Sequence, residues 1–286
     1  MEPVLRPARP DDKAAIVAFT RDTWDWGDYL EQVFDRWLAA PDSLGLIAEV
    51  AGEPVGYARG SLLSPTEAWA QGLRVRPDHR RRGLATALME GLADWARAAG
   101  ARVMRLSIWE DHVLQVFSPL GFRPGGGFLA AERPVASPGT RPQGNGGKRV
   151  PAAERLVASP FYEAPAAMLA WSGSALEKEA HGLFTQDWVA RLLTLADLEA
   201  AARDRTLWQT RSGWALAQAS EGVLRVSWLC TYPEDARLML RALVDLAAAQ
   251  ETTSIEMPIP AVDWLQAALE QAGWDLHPLR VLARLL

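Results

Sequence analysis

The order of predicted secondary structure repeats along this chain, and that repeat constrains the fold more than any single motif. Over residues 4–122, apolar and turn patterns predict a strand, a helix, a hairpin, a strand, a helix, a strand and a short helix closed by Gly121-Phe122. The same order returns from Val189 to a closing Gly273-Trp274. Because a repeated order is harder to obtain by chance than a repeated element, we predict two copies of one α/β unit.

A segment rich in proline and glycine, from residue 134 to about residue 160, interrupts the predicted elements. We expect a mobile loop there, because the segment holds few large apolar residues. A strand predicted over Ala167–Trp171 then closes the first sheet. These features predict an N-terminal domain over residues 1–175 and a C-terminal domain over residues 185–286.

Composition bounds the class of protein. The chain has 286 residues, enough for two domains of ordinary size, and 49% of them are apolar, as in folded globular proteins. A net charge of −5 argues against general affinity for nucleic acid, and the lone Cys230 excludes an intrachain disulfide. No apolar run reaches the roughly 18 residues of a membrane span, and the N-terminus does not resemble a signal peptide. We expect a cytoplasmic protein that binds no metal, membrane or nucleic acid.

The segment Val75–Ala85, VRPDHRRRGLA, places three arginines before a glycine and a predicted helix. A helix start already carries partial positive charge on its free N–H groups, so Arg80, Arg81 and Arg82 are locally repulsive there. A bound anion would offset this repulsion, and Gly83 would let a phosphate approach the backbone closely. The alternative is a solvated basic turn without a ligand.

The run Arg80-Arg81-Arg82-Gly83-Leu84-Ala85 resembles the R/Q-x-x-G-x-G/A motif of the GNAT superfamily of N-acetyltransferases. Leu120-Gly121-Phe122 resembles the closing L-G-F of the same family. The resemblance covers residues 3 to about 130, and it extends over residues 185–286 only as a degraded pattern. It implies an α/β (α+β) fold of two tandem GNAT-like domains, each a mixed, mostly antiparallel sheet flanked by helices.

The resemblance also implies a site for acetyl-CoA as co-substrate. Its pyrophosphate is expected on the backbone amides of Arg81 to Ala85, and its pantetheine arm along the end of the fourth strand. The N–H of Val75 is expected to polarise the thioester carbonyl. The implied cofactor-binding residues are Leu73, Val75, Arg80, Arg81, Arg82, Gly83, Leu84, Ala85 and Thr86.

Acylation of an amine requires a neutral nitrogen, so a group must accept a proton. The family usually has a carboxylate on the fourth strand for this task, and Glu67 is the acid near that point. Glu67, acting through water, is therefore the candidate base; the alternative is a solvated acid at the strand edge. His79 is expected to shape the turn. Phe117 stands where the family commonly has a proton-donating tyrosine, which leaves the departing thiolate without a dedicated acid.

The acceptor is expected against the first helical pair, where the resemblance places the acceptor site. Trp24, Trp26 and Tyr29 are predicted to form an aromatic box, with Asp25 and Asp28 attracting a cationic amine. The alternative is that the tryptophans pack a helix on the sheet.

We therefore predict an acetyl-CoA-dependent N-acetyltransferase, monomeric or homodimeric, in which the primary amine of a small molecule such as an amino acid attacks directly. The alternatives are acetylation of a protein N-terminus or lysine, and a non-catalytic CoA-binding sensor. The second copy is not expected to bind CoA. Aligning Pro233 with Pro77 puts Met239 in the place of Gly83, where its side chain would block a phosphate. A structural role is expected for that copy.

Overall fold

The chain packs as two compact units. Unit 1 comprises Met1–Pro124 together with Leu282–Leu286, and unit 2 comprises Gly125–Val281. Both are mixed α/β, with mostly antiparallel sheets flanked by helices, which confirms the predicted fold class. Within the described ranges, no helix is long and apolar enough to cross a membrane. The computed structural model describes residues 3–25, 27–135, 155–186 and 188–286.

Unit 1 is a sheet with helices on its two faces. Its elements in chain order are β1 (Val4–Pro7), a 3₁₀ turn (Pro10–Asp12), α1 (Lys13–Thr20), α2 (Leu30–Ala39), β2 (Ser43–Val50), β3 (Glu53–Ser64), β4 (Glu67–Val75), a 3₁₀ turn (Pro77–His79), α3 (Leu84–Ala98), β5 (Val103–Ile108), a 3₁₀ turn (Asp111–Val113), α4 (Leu114–Phe117) and a 3₁₀ turn (Ser118–Leu120). The strands lie in the order β1-β2-β3-β4-β5. Neighbouring strands are antiparallel except for β4 and β5, which are parallel.

Two clusters of buried side chains stabilise unit 1, one on each face of the sheet. Leu88 and Leu92 of α3 pack with Ala58 of β3 on one face. Phe34 of α2 packs with Tyr57 of β3 on the other face. Successive side chains of a strand point to opposite faces, so neighbours on β3 serve different cores. Each fully buried leucine or phenylalanine contributes about 1.5–3 kcal/mol.

Unit 2 repeats this kind of sheet. The elements that follow α4 are β6 (Arg123–Pro134), β7 (Val157–Ala158), α5 (Ala164–Trp171), α6 (Ala175–Ala180), β8 (Leu183–Gln186), β9 (Val189–Leu192), α7 (Leu195–Arg203), β10 (Leu207–Thr210), β11 (Gly213–Ser220), β12 (Val223–Thr231), a 3₁₀ turn (Pro233–Asp235), α8 (Ala236–Ala249), β13 (Ser254–Pro260), α9 (Asp263–Gln271) and β14 (Asp275–Leu285). The strand order in unit 2 is β6-β13-β12-β11-β10-β7, and β8 and β9 form a separate ribbon. The pair β12 and β13 is parallel.

The last residues of the chain belong to unit 1, although the sequence predicts a C-terminal domain that includes them. Leu282 is fully buried in the core that contains Phe122, and the N–H of Leu286 donates to the carbonyl of Arg102 (2.9 Å). The compact units therefore divide at Pro124 and not between residues 175 and 185. The duplication expected for residues 185–286 is a statement about ancestry and stays a prediction.

One predicted strand is a helix. Ala167–Trp171 lies within α5, where Ala164, Ala167 and Trp171 are buried at helical spacing. An alanine-rich run favours a helix over a strand, and this preference decides the local structure here. Most of the proline- and glycine-rich segment predicted as a loop, residues 136–154, lies outside the described residues.

Candidate functional site

The parallel strands β4 and β5 separate part-way along their length. They pair at Glu67↔Val103, Ala68↔Met104 and Trp69↔Arg105, and no further pair follows although both strands continue. The pairing of β3 with β4 is irregular close by, and Gly72 there has a φ of +69°. Such a bulge bends a strand away from its neighbour. A gap therefore opens between the second half of β4 and β5.

Backbone groups of β4 face this gap. The N–H of Arg76 donates to the carbonyl of Val55 on β3 (2.9 Å). Because backbone groups alternate in direction along an antiparallel strand, the N–H and carbonyl of Val75 point away from β3. Leu73 lies within the bulge, and its carbonyl accepts a hydrogen bond from the Arg74 side chain (3.0 Å). The side chain of Arg80 occupies part of the space, since its Nε donates to the Val75 carbonyl (3.2 Å).

The turn between β4 and α3 presents a run of free backbone donors. Gly83 precedes the helix with a φ of +78°, and Arg81 also has a positive φ of 61°. Among the described residues, no acceptor lies on the N–H groups from Arg81 to Thr86. A Cβ placed on Gly83 would meet no atom within 4 Å, so the space above it is open. This is the geometry of an anion site at a helix start.

Positive side chains surround that turn. Arg80, Arg81 and Arg82 are all exposed, and within the described chain the last two form no ion pair. Leu84 is buried and anchors the first turn of α3, while Thr86 exposes a hydroxyl there. The residues predicted from the motif are thus brought together around Gly83, and they fit a doubly charged pyrophosphate.

A network of side chains braces the residues before the turn. Asp78 Oδ1 lies 2.9 Å from His79 Nδ1 and accepts from Arg76 Nε at 2.8 Å. Arg76 also donates to Glu53 (3.0 Å). The hydrogen bonds from His79 and Arg76 lower the pKa of Asp78 to about 2. His79 thus takes part in shaping the turn, as the sequence predicts.

Glu67 is not a solvated acid. It is 5% exposed, lies at the start of β4 on the paired side of the gap, and forms an ion pair with Arg105 of β5. Ser64 Oγ donates to its other oxygen (3.3 Å). Both carboxylate oxygens of Glu67 therefore already have a partner, so Glu67 is not freely available to an incoming amine.

The aromatic box predicted near α2 already has a cation. Trp24 stacks on Tyr29 with ring centroids 5.9 Å apart, and the Arg74 guanidinium lies 4.6 Å from the Trp24 centroid and 5.4 Å from the Tyr29 centroid. Asp28 accepts from Arg74 Nε (2.7 Å) and from the N–H of Leu30 (3.0 Å). The structure therefore differs from the expectation that these groups attract a substrate ammonium: Arg74 takes that place and neutralises Asp28. Asp25 is exposed, and Trp26 lies outside the described residues.

Comparison with known proteins agrees with this geometry. Residues 13–122 match the model of the acetyltransferase (GNAT) family. Residues 13–122 form a GNAT domain. The match confirms the family resemblance of the arginine motif. It also confirms acetyl-CoA as the co-substrate, because this family uses it as the acetyl donor.

Solved structures resemble the whole chain in fold. A GCN5-related N-acetyltransferase from Sphaerobacter thermophilus is 16% identical with a TM-score of 0.64, over 99% of this chain and 95% of that one. Another from Kribbella flavida is 16% identical with a TM-score of 0.54, over 99% of this chain and 72% of that one. Identities this low establish the fold alone. A search of curated proteins finds no match.

The GNAT domain has no tyrosine at the position of Phe117. The Phe117 ring is buried and packs edge-on against Phe122, with centroids 5.8 Å apart. The position therefore carries packing and no ionisable proton. The sequence prediction for this residue agrees with its surroundings.

Sequence reasoning missed three arginines of the GNAT domain. Arg105 holds Glu67, Arg74 fills the aromatic pair, and Arg59 lies over the Trp37 ring with its guanidinium 4.8 Å from the centroid. Burial lowers the pKa of Arg59, and it raises that of Tyr57. The alternation of side chains along a strand could have indicated the position of Arg59. It stands two residues after Tyr57 in β3, so both side chains face α1 and α2.

Proposed function

We propose that this protein transfers the acetyl group of acetyl-CoA to the primary amine of a small molecule. The observation that carries the proposal is the run of free backbone N–H groups around Gly83, which adjoins the gap between β4 and β5. An anion site at a helix start next to an opened strand edge suits a long ligand with a charged part and an extended arm.

Each predicted cofactor-binding residue has a role in this proposal. The amides from Arg81 to Ala85 would hold the pyrophosphate, with the side chains of Arg80, Arg82 and Thr86 at its flanks. Leu84 and Ala85 keep the helix start in place and uncrowded. Leu73 and Val75 would hold the pantetheine arm along the gap, because the backbone groups of Val75 point away from β3 and Leu73 lies in the bulge beside it.

The chemistry needs little from side chains. Bound acetyl-CoA supplies an activated acetyl thioester. The N–H of Val75 would donate to the developing negative charge on the acetyl oxygen, a type of contact worth several kcal/mol in enzymes. The amine must lose a proton; Glu67 acting through water is the candidate acceptor, although its ion pair with Arg105 places it next to a compensating charge.

The first experiment is a calorimetric titration of the full chain with acetyl-CoA, followed by thiol-release assays with a panel of amines. We expect one site per chain and thiol release that depends on the amine, with the N-acetyl product identified by mass spectrometry. Absence of binding would contradict the cofactor assignment. Transfer to peptides but to no small amine would favour acetylation of a protein N-terminus or lysine.

A second candidate is a CoA-binding sensor without transferase activity. Phe117 favours it, because this buried aromatic side chain cannot protonate a departing thiolate. A thiol with a pKa near ~8.5 is nevertheless a tolerable leaving group at neutral pH. The same assay separates the two candidates: tight CoA binding with no N-acetyl product for any amine supports the sensor.

A further inference from the structure

Arg59 is a buried cation without a counter-ion. Only 7% of its surface is exposed, and its Nε is buried without a hydrogen-bond partner. Among the described residues, Arg59 forms no ion pair, and its guanidinium lies over the face of the Trp37 ring. An aromatic face stabilises a guanidinium but leaves its N–H groups unused.

Three carboxylates of the surrounding elements are already paired. Asp28 at the start of α2 pairs with Arg74, and Asp35 within α2 pairs with Lys13. Glu67 on β4 pairs with Arg105. Arg36 on α2 adds a second positive charge near Arg59 and so increases the local excess. Among the residues that the structure describes, no carboxylate forms an ion pair with Arg59.

A buried unpaired charge costs free energy, and proteins rarely keep one without a use. Packing alone does not explain a guanidinium at this position of β3. Tyr57 and Trp37 already supply the apolar contacts on this face, and Trp69 is fully buried as well. An anionic ligand would complete the site, because a planar guanidinium binds a carboxylate with two parallel hydrogen bonds.

Arg59 is also well placed with respect to the gap. It lies opposite Gln71 of β4, two residues beyond Trp69, where the pairing of β4 with β5 stops. Its side chain shares the face of Tyr57, whereas Ala58 faces α3. A ligand bound to Arg59 therefore approaches the gap from the side of the sheet opposite to α3. Because neighbouring strands are about 4.8 Å apart, a few covalent bonds of the ligand span the distance from Arg59 to the gap.

We propose that the acceptor amine carries a carboxylate, that Arg59 binds this carboxylate, and that the amine then reaches the gap between β4 and β5. The acceptor class is thus a small amino acid with a short path between its amine and its carboxylate. The one buried guanidinium of Arg59 matches a monoanion better than a phosphate dianion, because the charge of the exposed Arg36 is screened by solvent. This inference rests on the proposed function and narrows its acceptor.

The test compares each common α-amino acid with its carboxamide, which keeps the amine and removes the charge. For the preferred acceptor we expect kcat/KM to be about 10- to 100-fold higher for the free acid, the range for one hydrogen-bonded charged group. Arg59→Met should abolish this preference mainly by raising KM for the acid, with acetyl-CoA affinity unchanged. The control Arg36→Met removes the exposed arginine of α2 near Arg59 and should preserve the preference for the free acid. Equal turnover of acid and carboxamide would overturn the inference while leaving the proposed function intact.

A binding measurement tests the inference without turnover. N-acetylated amino acids should bind the wild-type chain in calorimetry about 10- to 100-fold more tightly than their carboxamides, and Arg59→Met should remove that difference. Arg59→Met should also raise the melting temperature of the free protein, because it removes an uncompensated buried charge. Equal binding of acid and carboxamide, no binding of either, or tighter binding of a phosphonate analogue would overturn the proposal.

Discussion

In each unit, one strand of a parallel pair is followed by a helix, and the connection between that strand and the helix differs between the two units. β4 and β12 are nine residues long, and each is followed by a 3₁₀ turn that begins with proline. Each pairs with its parallel neighbour through three residue pairs only. After the turn, unit 1 inserts Arg80–Gly83 before its helix, whereas α8 of unit 2 begins directly at Ala236.

The helix start of unit 2 is less suited to an anion, because it is more crowded and carries two acids. Met239, aligned with Gly83 from the sequence, is fully buried within α8, and Ala236 is buried as well. Glu234 and Asp235 stand at the start of that helix, where their negative charges would repel a phosphate. That the second copy binds no CoA stays a prediction, and the shorter connection before α8 is a further reason for it that residue substitution alone did not reveal.

The same side-chain brace is present at α1 of unit 1 and at α7 of unit 2. Arg6 donates to Asp12 and Arg191 donates to Asp197, each at 2.7 Å. Each aspartate also accepts from the backbone N–H three residues earlier, at 2.7 Å in unit 1 and 2.8 Å in unit 2. The comparison teaches that contacts that hold the fold are retained in both units, while the anion turn is present in only one.

The largest expected difference between the units concerns the ion pair where the parallel strands meet. In unit 1 the buried Glu67 of β4 pairs with Arg105 of β5, and in unit 2 the more exposed Arg225 of β12 lies 3.7 Å from Glu256 of β13. Glu67→Gln should lower the free energy of unfolding by about 3–5 kcal/mol, because it leaves a buried guanidinium unpaired. Glu256→Gln should cost at most about 1 kcal/mol. Urea unfolding of both variants checks this.

The same variant tests catalysis. If Glu67 serves only to balance Arg105, the double variant Glu67→Gln/Arg105→Met should regain most of the lost stability and keep its turnover with a saturating amine. If kcat of the stable double variant fell and recovered at higher pH, the Glu67 carboxylate would instead take the amine proton.

The second prediction concerns the glycine that only unit 1 has at its helix entry. Gly83→Ala should weaken acetyl-CoA binding by about 10- to 100-fold, because its Cβ points into the space where backbone donors meet the phosphate. Gly52→Ala is the matched control: Gly52 has a φ of +83°, against +78° for Gly83, and an equally open Cβ position. Both variants should lose about 1 kcal/mol of stability from backbone strain. Equal CoA affinity in both variants would contradict the site.

How much the sequence predicts depends on the range of the interaction. The turn at Arg80–Gly83 and the start of α3 follow from local chemistry, since a glycine with positive φ and a helical apolar pattern adjoin there. The prediction of a strand over Ala167–Trp171 is wrong. It relies on the need for a closing strand, whereas the local helix preference of this alanine-rich run decides the structure. The burial of Leu282 in unit 1 could not be predicted, because it depends on a partner more than a hundred residues away in sequence.

The candidate site shows the same limit. The residues of the anion turn are adjacent in sequence and were all predicted. The acceptor-side residues are not: Arg74 meets Trp24 and Asp28 only because β4 bulges at Gly72 and α2 packs beside it. A pattern of acids and aromatics cannot reveal that an arginine from another element already neutralises them.

The third prediction tests the brace that both units share. The hydrogen bond from Arg6 lowers the pKa of Asp12. Burial alone would raise the pKa of Asp197, but hydrogen bonds from Arg191 and Thr194 lower it overall. Each aspartate therefore stabilises its unit at neutral pH, and this contribution is lost as pH falls below about 4 through the lowered value. Asp12→Asn and Asp197→Asn should each cost about 1–2 kcal/mol at pH 7.

Melting temperatures at pH 7 and pH 3 measure that contribution. The difference between wild type and either variant should shrink at the lower pH, because the carboxyl of the unfolded chain is then largely protonated and the native ion pair no longer gains its full free energy. A constant difference at both pH values would mean that the asparagines act through lost packing and not through lost charge.

The smallest expected effect distinguishes the exposed arginines of the two helix starts. Arg82→Met in unit 1 should weaken acetyl-CoA binding by about two- to fivefold, the effect of one solvent-exposed charge, and the loss should fade as salt is raised. Arg237→Met in the first turn of α8 removes the same charge from an exposed position and should leave affinity unchanged. Calorimetric titrations at low and high ionic strength compare the two variants. If Arg237→Met weakened binding as much as Arg82→Met, the arginines would act through net charge alone, and the contrast between the two helix starts would lose its meaning.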